Sequence, residues 1–202
     1  MVSDPSGLSV VPGTHGGMLI GGAAWSRLAV LWAKAEKRPE AWHPLWAHAL
    51  DAAAAADWLW ARGLAPSARR QVSAWLPGGD EDGRLLLRWL AALHDLGKAS
   101  PAFQVQHEAR AAATRLVLEL PLRLPGRENA PHSWVSAAVL LRMLEGRGWS
   151  RRAALWPAMV VGGHHGAFPG LRFAREPKAR PDLYGDGVWS SMPIRTPVGS
   201  LP

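Results

Sequence analysis

The chain has 202 residues, 48% of them apolar and 19% charged, which suits one domain with a real core and argues against wholesale disorder. Cysteine is absent, so disulfide scaffolds, zinc–thiolate sites, iron–sulfur clusters and thiol nucleophiles are excluded, and any metal must be held by His, Asp and Glu. The formal net charge of +7 suits a polyanionic partner such as nucleic acid.

Residues 1–24 are rich in Gly, Ser and Pro and lack a basic run followed by an apolar stretch. They read as a flexible tail rather than a signal peptide. No apolar run approaches the ~20 residues a membrane helix needs, so no membrane is expected and the expected compartment is the cytoplasm. Trp25, Leu28, Ala29 and Trp32 recur at helical spacing before Pro39 and Pro44 interrupt the pattern. A helix is predicted from about Pro44 to Arg62, with an alanine run at 52–56 and a stop at Gly63. A shorter helix is expected over Pro66 to Leu76, then a turn at 77–80, then a strong helix over Arg84 to Leu96 with Leu86, Leu87, Leu90 and Leu93 on one face. Residues 99–106 read as a turn and a new helical start, and Thr114 to Leu120 as helical or irregular.

Pro131 to Glu145 is a clear helix with Val135, Ala138, Val139 and Met143 as its stripe. Arg151 to Val161 follows and ends at Gly162-Gly163. From residue 167 the chain is dense in Pro, Gly and Arg and reads as loop. No stretch has a convincing strand period. The expected fold class is all-α, a bundle of about five to seven helices with irregular N- and C-terminal tails. Trp58, Trp89 and Trp134 share helix faces with Leu and Val and are expected in the core.

Histidine placement carries the chemistry. His94 and Asp95 stand side by side at the end of an apolar helix, where unpaired polar groups are costly. Successive helical residues point ~100° apart, so imidazole and carboxylate can wrap a cation between them, and the two carboxylate oxygens can bridge a pair of metals. His48 and His132, each taken alone, read more readily as a satisfied core or first-turn residue than as a ligand. His164-His165 sits between Gly162-Gly163 and Gly166, which suggests a tight turn bringing both rings to one point. Lys98 lies four residues after His94. It is either a cation offsetting a helix dipole or a group that holds a substrate phosphate. Imidazole and carboxylate without sulfur suit Mn, Fe, Co, Ni or Zn, and phosphate-ester hydrolysis is the reaction such clusters most naturally serve.

The string His94-Asp95-Leu96-Gly97-Lys98-Ala99-Ser100-Pro101-Ala102-Phe103-Gln104 resembles the HD nuclease domain of the third CRISPR-associated protein, the helicase-nuclease of type I systems. Trp32-Ala33-Lys34, His43-Pro44-Leu45 with His48 and Asp51, His132-Ser133 with Ser136-Ala137, and Gly163-His164-His165-Gly166 resemble further elements of that family, in its order. The resemblance runs over residues 25–170, leaving 171–202 as a loop or truncated C-terminal segment. It implies an HD-type helical domain in which His48, His94 and Asp95 hold one divalent transition metal, while Asp95 bridges to a second held by His132, His164 and His165. Mn, Fe, Co or Ni are the expected ions, with Mg or Zn as alternatives. It further implies catalytic roles for Asp95 and Lys98, with Lys98 near the scissile phosphate, and hydrolysis of single-stranded DNA in antiviral defence. A CRISPR helicase domain or subunit and the RNA-guided surveillance complex are the implied partners. Arg and Lys along the approach would hold the strand, in a salt-dependent manner.

Two departures stand out. The family completes its first metal site with a later aspartate, whereas here only Asp182 and Asp186 follow the paired histidines. The chain is then a truncated piece, or one of those two substitutes, or the first site is incomplete. No G-x-x-x-x-G-K-[ST] loop is present in these residues, so they are not expected to include a helicase half. The alternatives are an HD-superfamily nucleotide phosphohydrolase, or an inactive remnant that binds metal or a partner without turnover.

Overall fold

Residues 22–35, 42–170 and 180–185 are described by the structure, a computed structural model. Residues 1–21 of the expected tail, and Asp186, Trp189, Pro193 and Pro197, lie outside the described residues.

Helix α1 spans Gly22–Ala29, and the chain then leaves the helix to form strand β1 at Trp32–Ala35. Strand β2, Trp42–Pro44, pairs with it antiparallel, Lys34 opposite His43 and Ala35 opposite Trp42. The sequence reading, which carried a helical pattern through Trp32 and expected no strand, is corrected here. Strands this short hold too few residues to display a period of two. They persist because Leu31, Trp32 and Ala33 bury their side chains and Gln104 caps the edge of β1.

Helix α2, Leu45–Trp58, starts directly after Pro44, whose fixed φ suits the residue before a helix and whose missing N–H is no loss there. It continues as one π-helical turn, Leu59–Gly63. Trp46, Leu50, Ala54 and Trp58 recur every fourth residue along its outer side, so Trp58 is 65% exposed rather than in the core; the buried tryptophan of this segment is Trp60. Trp89 and Trp134 do pack against the core. Helix α3, Pro66–Ser73, leads to α4, Asp80–Leu93. Asp80, Glu81 and Asp82 fill the first turn of α4, where the helix dipole favours acids, so the helix begins earlier than its apolar stripe. Arg84 clamps Asp57 at 2.7 and 3.0 Å and fixes α4 against α2.

A 3-10 turn, Leu96–Ala99, and the single-turn helix α5, Pro101–Gln104, follow, the latter capped by the Ser100 hydroxyl, which accepts from the Phe103 N–H. Helices α6, Glu108–Leu118, α7, His132–Glu145, and α8, Arg151–Gly162, complete the main body. The core centres on α7. Its expected stripe of Val135, Ala138, Val139 and Met143 is buried, but so are Ala137, Leu140, Leu141 and Leu144, so the helix is enclosed nearly all round. Beyond residue 166 the sequence reading expects only loop. Instead Pro181–Tyr184 forms a helical turn, α9, whose Leu183 and Tyr184 are buried in the core. A single turn has too few positions to show helical periodicity.

Candidate metal centre

Asp95 lies at the break between α4 and the 3-10 turn. His94 closes α4 with helical angles, and Asp95 departs from them at φ −103°, ψ 16°. The α-helix therefore does not persist to Lys98. The tighter 3-10 turn brings the Lys98 Nζ to 2.8 Å from Asp95 Oδ2. Gly97 makes this turn possible. A Cβ there would collide with the His132 carbonyl and the Ser136 amide, so only glycine lets the turn lie against α7. The Gly97 N–H donates to the Ser136 hydroxyl at 2.7 Å, which pins the two elements together.

Around this buried carboxylate the structure gathers every histidine singled out in the sequence. His48 on α2 and His94 place Nε2 at 2.8 and 3.0 Å from Oδ2. His132, at the start of α7, and His164, just past α8, place Nε2 at 3.3 and 3.5 Å from Oδ1. His165 reaches the same group through His132, with the two Nε2 atoms 2.8 Å apart. Close packing of α8 on α7 sets this up, since a Cβ on Gly162 would strike Ala137 and Pro169. The described residues thus present two sets of potential ligand atoms, His48 with His94 and Asp95, and His132 with His164 and His165, each set spanning no more than 4.8 Å.

The hydrogen bonds fit a cation. His94 Nδ1 donates to the Ala91 carbonyl and His164 Nδ1 to the Val161 carbonyl, both at 2.7 Å, because a carbonyl oxygen only accepts. In the neutral rings this leaves Nε2 of each as a lone pair aimed at Asp95, the arrangement seen where a second hydrogen bond orients a ligand histidine. A lone pair facing a carboxylate oxygen repels it unless a proton or a metal ion lies between. His164 Nε2 and Asp95 Oδ1 are moreover buried without a well-formed hydrogen bond, a costly arrangement that a cation resolves. His132 and His165 pose the same question, for only one proton fits between two ring nitrogens. The donor set, imidazole nitrogen with one shared carboxylate, suits a first-row divalent transition metal.

Charge follows the same logic. Burial works to raise the pKa of Asp95, but the close approach of His132, His164, His94 and Lys98 outweighs it and holds the carboxyl far below the usual range. Burial lowers the pKa of His48 more than Asp95 raises it. Burial likewise lowers that of His165, helped by repulsion from His164 and His132, so both rings are biased toward the neutral form that binds metal. At His94, burial is overcome by the bonds to Asp95 and the Ala91 carbonyl, and the pKa is raised.

Sequence reasoning assigned no task to Gln104. Its fully buried side chain donates from Nε2 to the Lys98 carbonyl at 2.6 Å and to the Trp32 carbonyl at 2.9 Å, and accepts from the Trp32 amide at 3.3 Å. It joins β1 to the turn that carries Asp95 and Lys98. A glutamine flanked by Phe103 and Val105 gives only a weak sequence signal of such a bridge, and its partner Trp32 is far off in sequence. Asp182, by contrast, is not drawn into the cluster. Both its oxygens are bound by Arg180, at 3.0 and 2.8 Å.

Comparison with known proteins agrees with this geometry. The family model described as "Cas3, HD domain" matches residues 32–193. The chain is 38% identical over 143 residues to the CRISPR-associated endonuclease/helicase Cas3 of Thermus thermophilus, covering 69% of this chain and 14% of that relative. A crystal structure of a CRISPR-associated protein superposes with a TM-score of 0.70 at 38% identity, over 86% of this chain and 19% of that one. The crystal structure of T. fusca Cas3 gives 0.59 at 27% identity, over 80% of this chain and 18% of that one. The chain therefore spans less than a fifth of the length of these relatives.

Proposed function

The chain belongs to the Cas3 HD-domain family, and from that premise we propose that it is a metal-dependent nuclease module that hydrolyses phosphodiester bonds of single-stranded DNA in type I CRISPR defence. One observation carries the reading: a single buried carboxylate, Asp95, turns Oδ2 toward His48 and His94 and Oδ1 toward His132 and His164. That is the arrangement in which one acid bridges a pair of cations. His48, His94 and Asp95 would hold one ion, and His132, His164, His165 and Asp95 the other. Bound there, the metals supply the positive charge and the water activation that in-line phosphoester hydrolysis requires.

The remaining work falls to the chain. Ala91 and Val161 hold the rings of His94 and His164 in the tautomer that presents Nε2. The Lys98 ammonium lies 2.8 Å from Oδ2 and would supply positive charge to a phosphate oxygen brought beside Asp95. The ring of Phe103 lies 5.6 Å from that of His132 and 5.5 Å from the Lys98 ammonium, and so packs against both. The helicase and the RNA-guided complex named by the resemblance are the proposed partners, and residues 25–170 the proposed functional unit. Asp182, tied to Arg180, supports a first site that lacks the family's later aspartate among the described residues.

The test is circular single-stranded DNA against a nucleotide panel, each with Mn²⁺ or Ni²⁺. Linear and shortened DNA is expected, with nucleotides untouched. Phosphate release from nucleotides with intact DNA would replace this reading with a nucleotide phosphohydrolase.

A further inference from the structure

The space beside the metal centre points to where the substrate lies. An open groove of about 610 Å³ runs between the β1–β2 hairpin and α2, lined by Lys34, Trp42, His43, His48, Asp51 and the small residues Ala52 and Ala55. His48 is at once a wall of this groove and a member of the cluster around Asp95, so the groove opens onto the chemistry. Its size lies in the range of small-molecule sites.

Resting on the nuclease reading above, we infer that this groove seats the nucleotide next to the cleaved phosphodiester, with Lys34 serving its backbone phosphate and Trp42 its base. The alanine run explains why the space exists: Ala52 and Ala55 stop at Cβ where longer side chains would fill it. Lys34 is exposed and makes no ion pair among the described residues, so its charge is available to a phosphate. Trp42 lines the groove and carries the Arg110 guanidinium 4.9 Å from its ring, a contact that steadies the indole, and aromatic side chains lining a groove are what the bases of single strands stack on. Asp51 is the acid of the lining. Its Oδ2 is paired with His43, 3.0 Å from Nε2. His43 in turn stands edge-on to His48, with ring centroids 5.8 Å apart, so the groove wall and the first ligand set are one packed unit.

The test uses two substitutions that touch no proposed ligand. Lys34→Ala removes the phosphate contact. Ala55→Leu fills the groove, at an exposed helical position that leucine tolerates. Arg152→Ala, which removes an equal charge at a different groove, on α8, is the control. Binding of a fluorescein-labelled oligothymidylate is followed by anisotropy in EDTA, and cleavage kinetics with Mn²⁺. Each groove variant is expected to weaken binding and raise KM about tenfold with kcat and metal content kept. Lys34→Ala should also flatten the dependence of log K on log salt by about 0.7. Groove variants that bind and cut like the parent protein overturn the assignment and leave the nuclease reading standing. Equal weakening by Arg152→Ala also overturns it, in favour of diffuse attraction. A parent protein that neither binds nor cuts the strand overturns the nuclease reading, and this inference with it.

Discussion

Asp95 Oδ2 and Oδ1 face unlike surroundings. On the Oδ2 side, His48, His94 and Lys98 all lie within 3.0 Å, and an ammonium already supplies positive charge. On the Oδ1 side, His132 and His164 stand at 3.3 and 3.5 Å, and both Oδ1 and His164 Nε2 are left without a well-formed hydrogen bond. A cation entering the first side must displace donors that are already in place. One entering the second side satisfies buried groups that nothing in the described chain satisfies. Three imidazoles also surround the second position, against two on the first. On the proposed two-metal reading, the comparison predicts that a symmetric-looking cluster offers two sites of unequal affinity, with the His132, His164 and His165 side the tighter.

The largest effect should come from removing what the two sides share. Asp95→Ala is expected to strip both ions and to lower cleavage by about a thousandfold, with the helical circular dichroism kept. Parent-level metal content in that variant would end the idea of a shared acid. Next come the variants that separate the sides. His165→Ala and His48→Ala should each leave one metal per chain by mass spectrometry. A graded chelator titration of the parent should remove the His48 side first. Loss of both ions from either single variant would mean that the sides form one site.

Smaller effects probe the scaffold that sets the two sides at their separation. Gly97→Ala pushes a Cβ into the backbone of α7, and should cost about 1–3 kcal/mol, roughly 2–10 °C in Tm, while loosening the His132 side more than the His48 side. An unchanged Tm would show that the turn has room to shift. Gln104→Leu leaves the Trp32 and Lys98 backbone groups buried and unpaired, and should cost about 1–3 kcal/mol of stability with metal content kept.

The sequence disclosed the cluster better than its supports, and the reason is locality. His94-Asp95, the glycine-flanked His164-His165, His48 in an alanine-rich helix and His132 after a proline are each visible in a short window. What joins them is not. Gln104 acts on Trp32 from 72 residues away, and no window contains both. Gly97 has no role legible in the sequence beyond following the predicted helix, although its task is to admit the backbone of α7. The β1–β2 hairpin and α9 were missed for a different reason: elements of three or four residues cannot display a period. Trp58 was misplaced because α2 is apolar on several sides, so a tryptophan on it does not reveal which side faces the core. The long helices α4 and α7 are legible to within a few residues, because each is long enough to display an apolar stripe, although the stripe of α7 understates how much of that helix is buried.

The central claim is that two cations flank one carboxylate. Crystals soaked in Mn²⁺ and measured for anomalous scattering test it directly. Two peaks are predicted, one among His48, His94 and Asp95 Oδ2 and a stronger one among His132, His164, His165 and Asp95 Oδ1. A map with no anomalous peak within bonding reach of Asp95 would contradict the account.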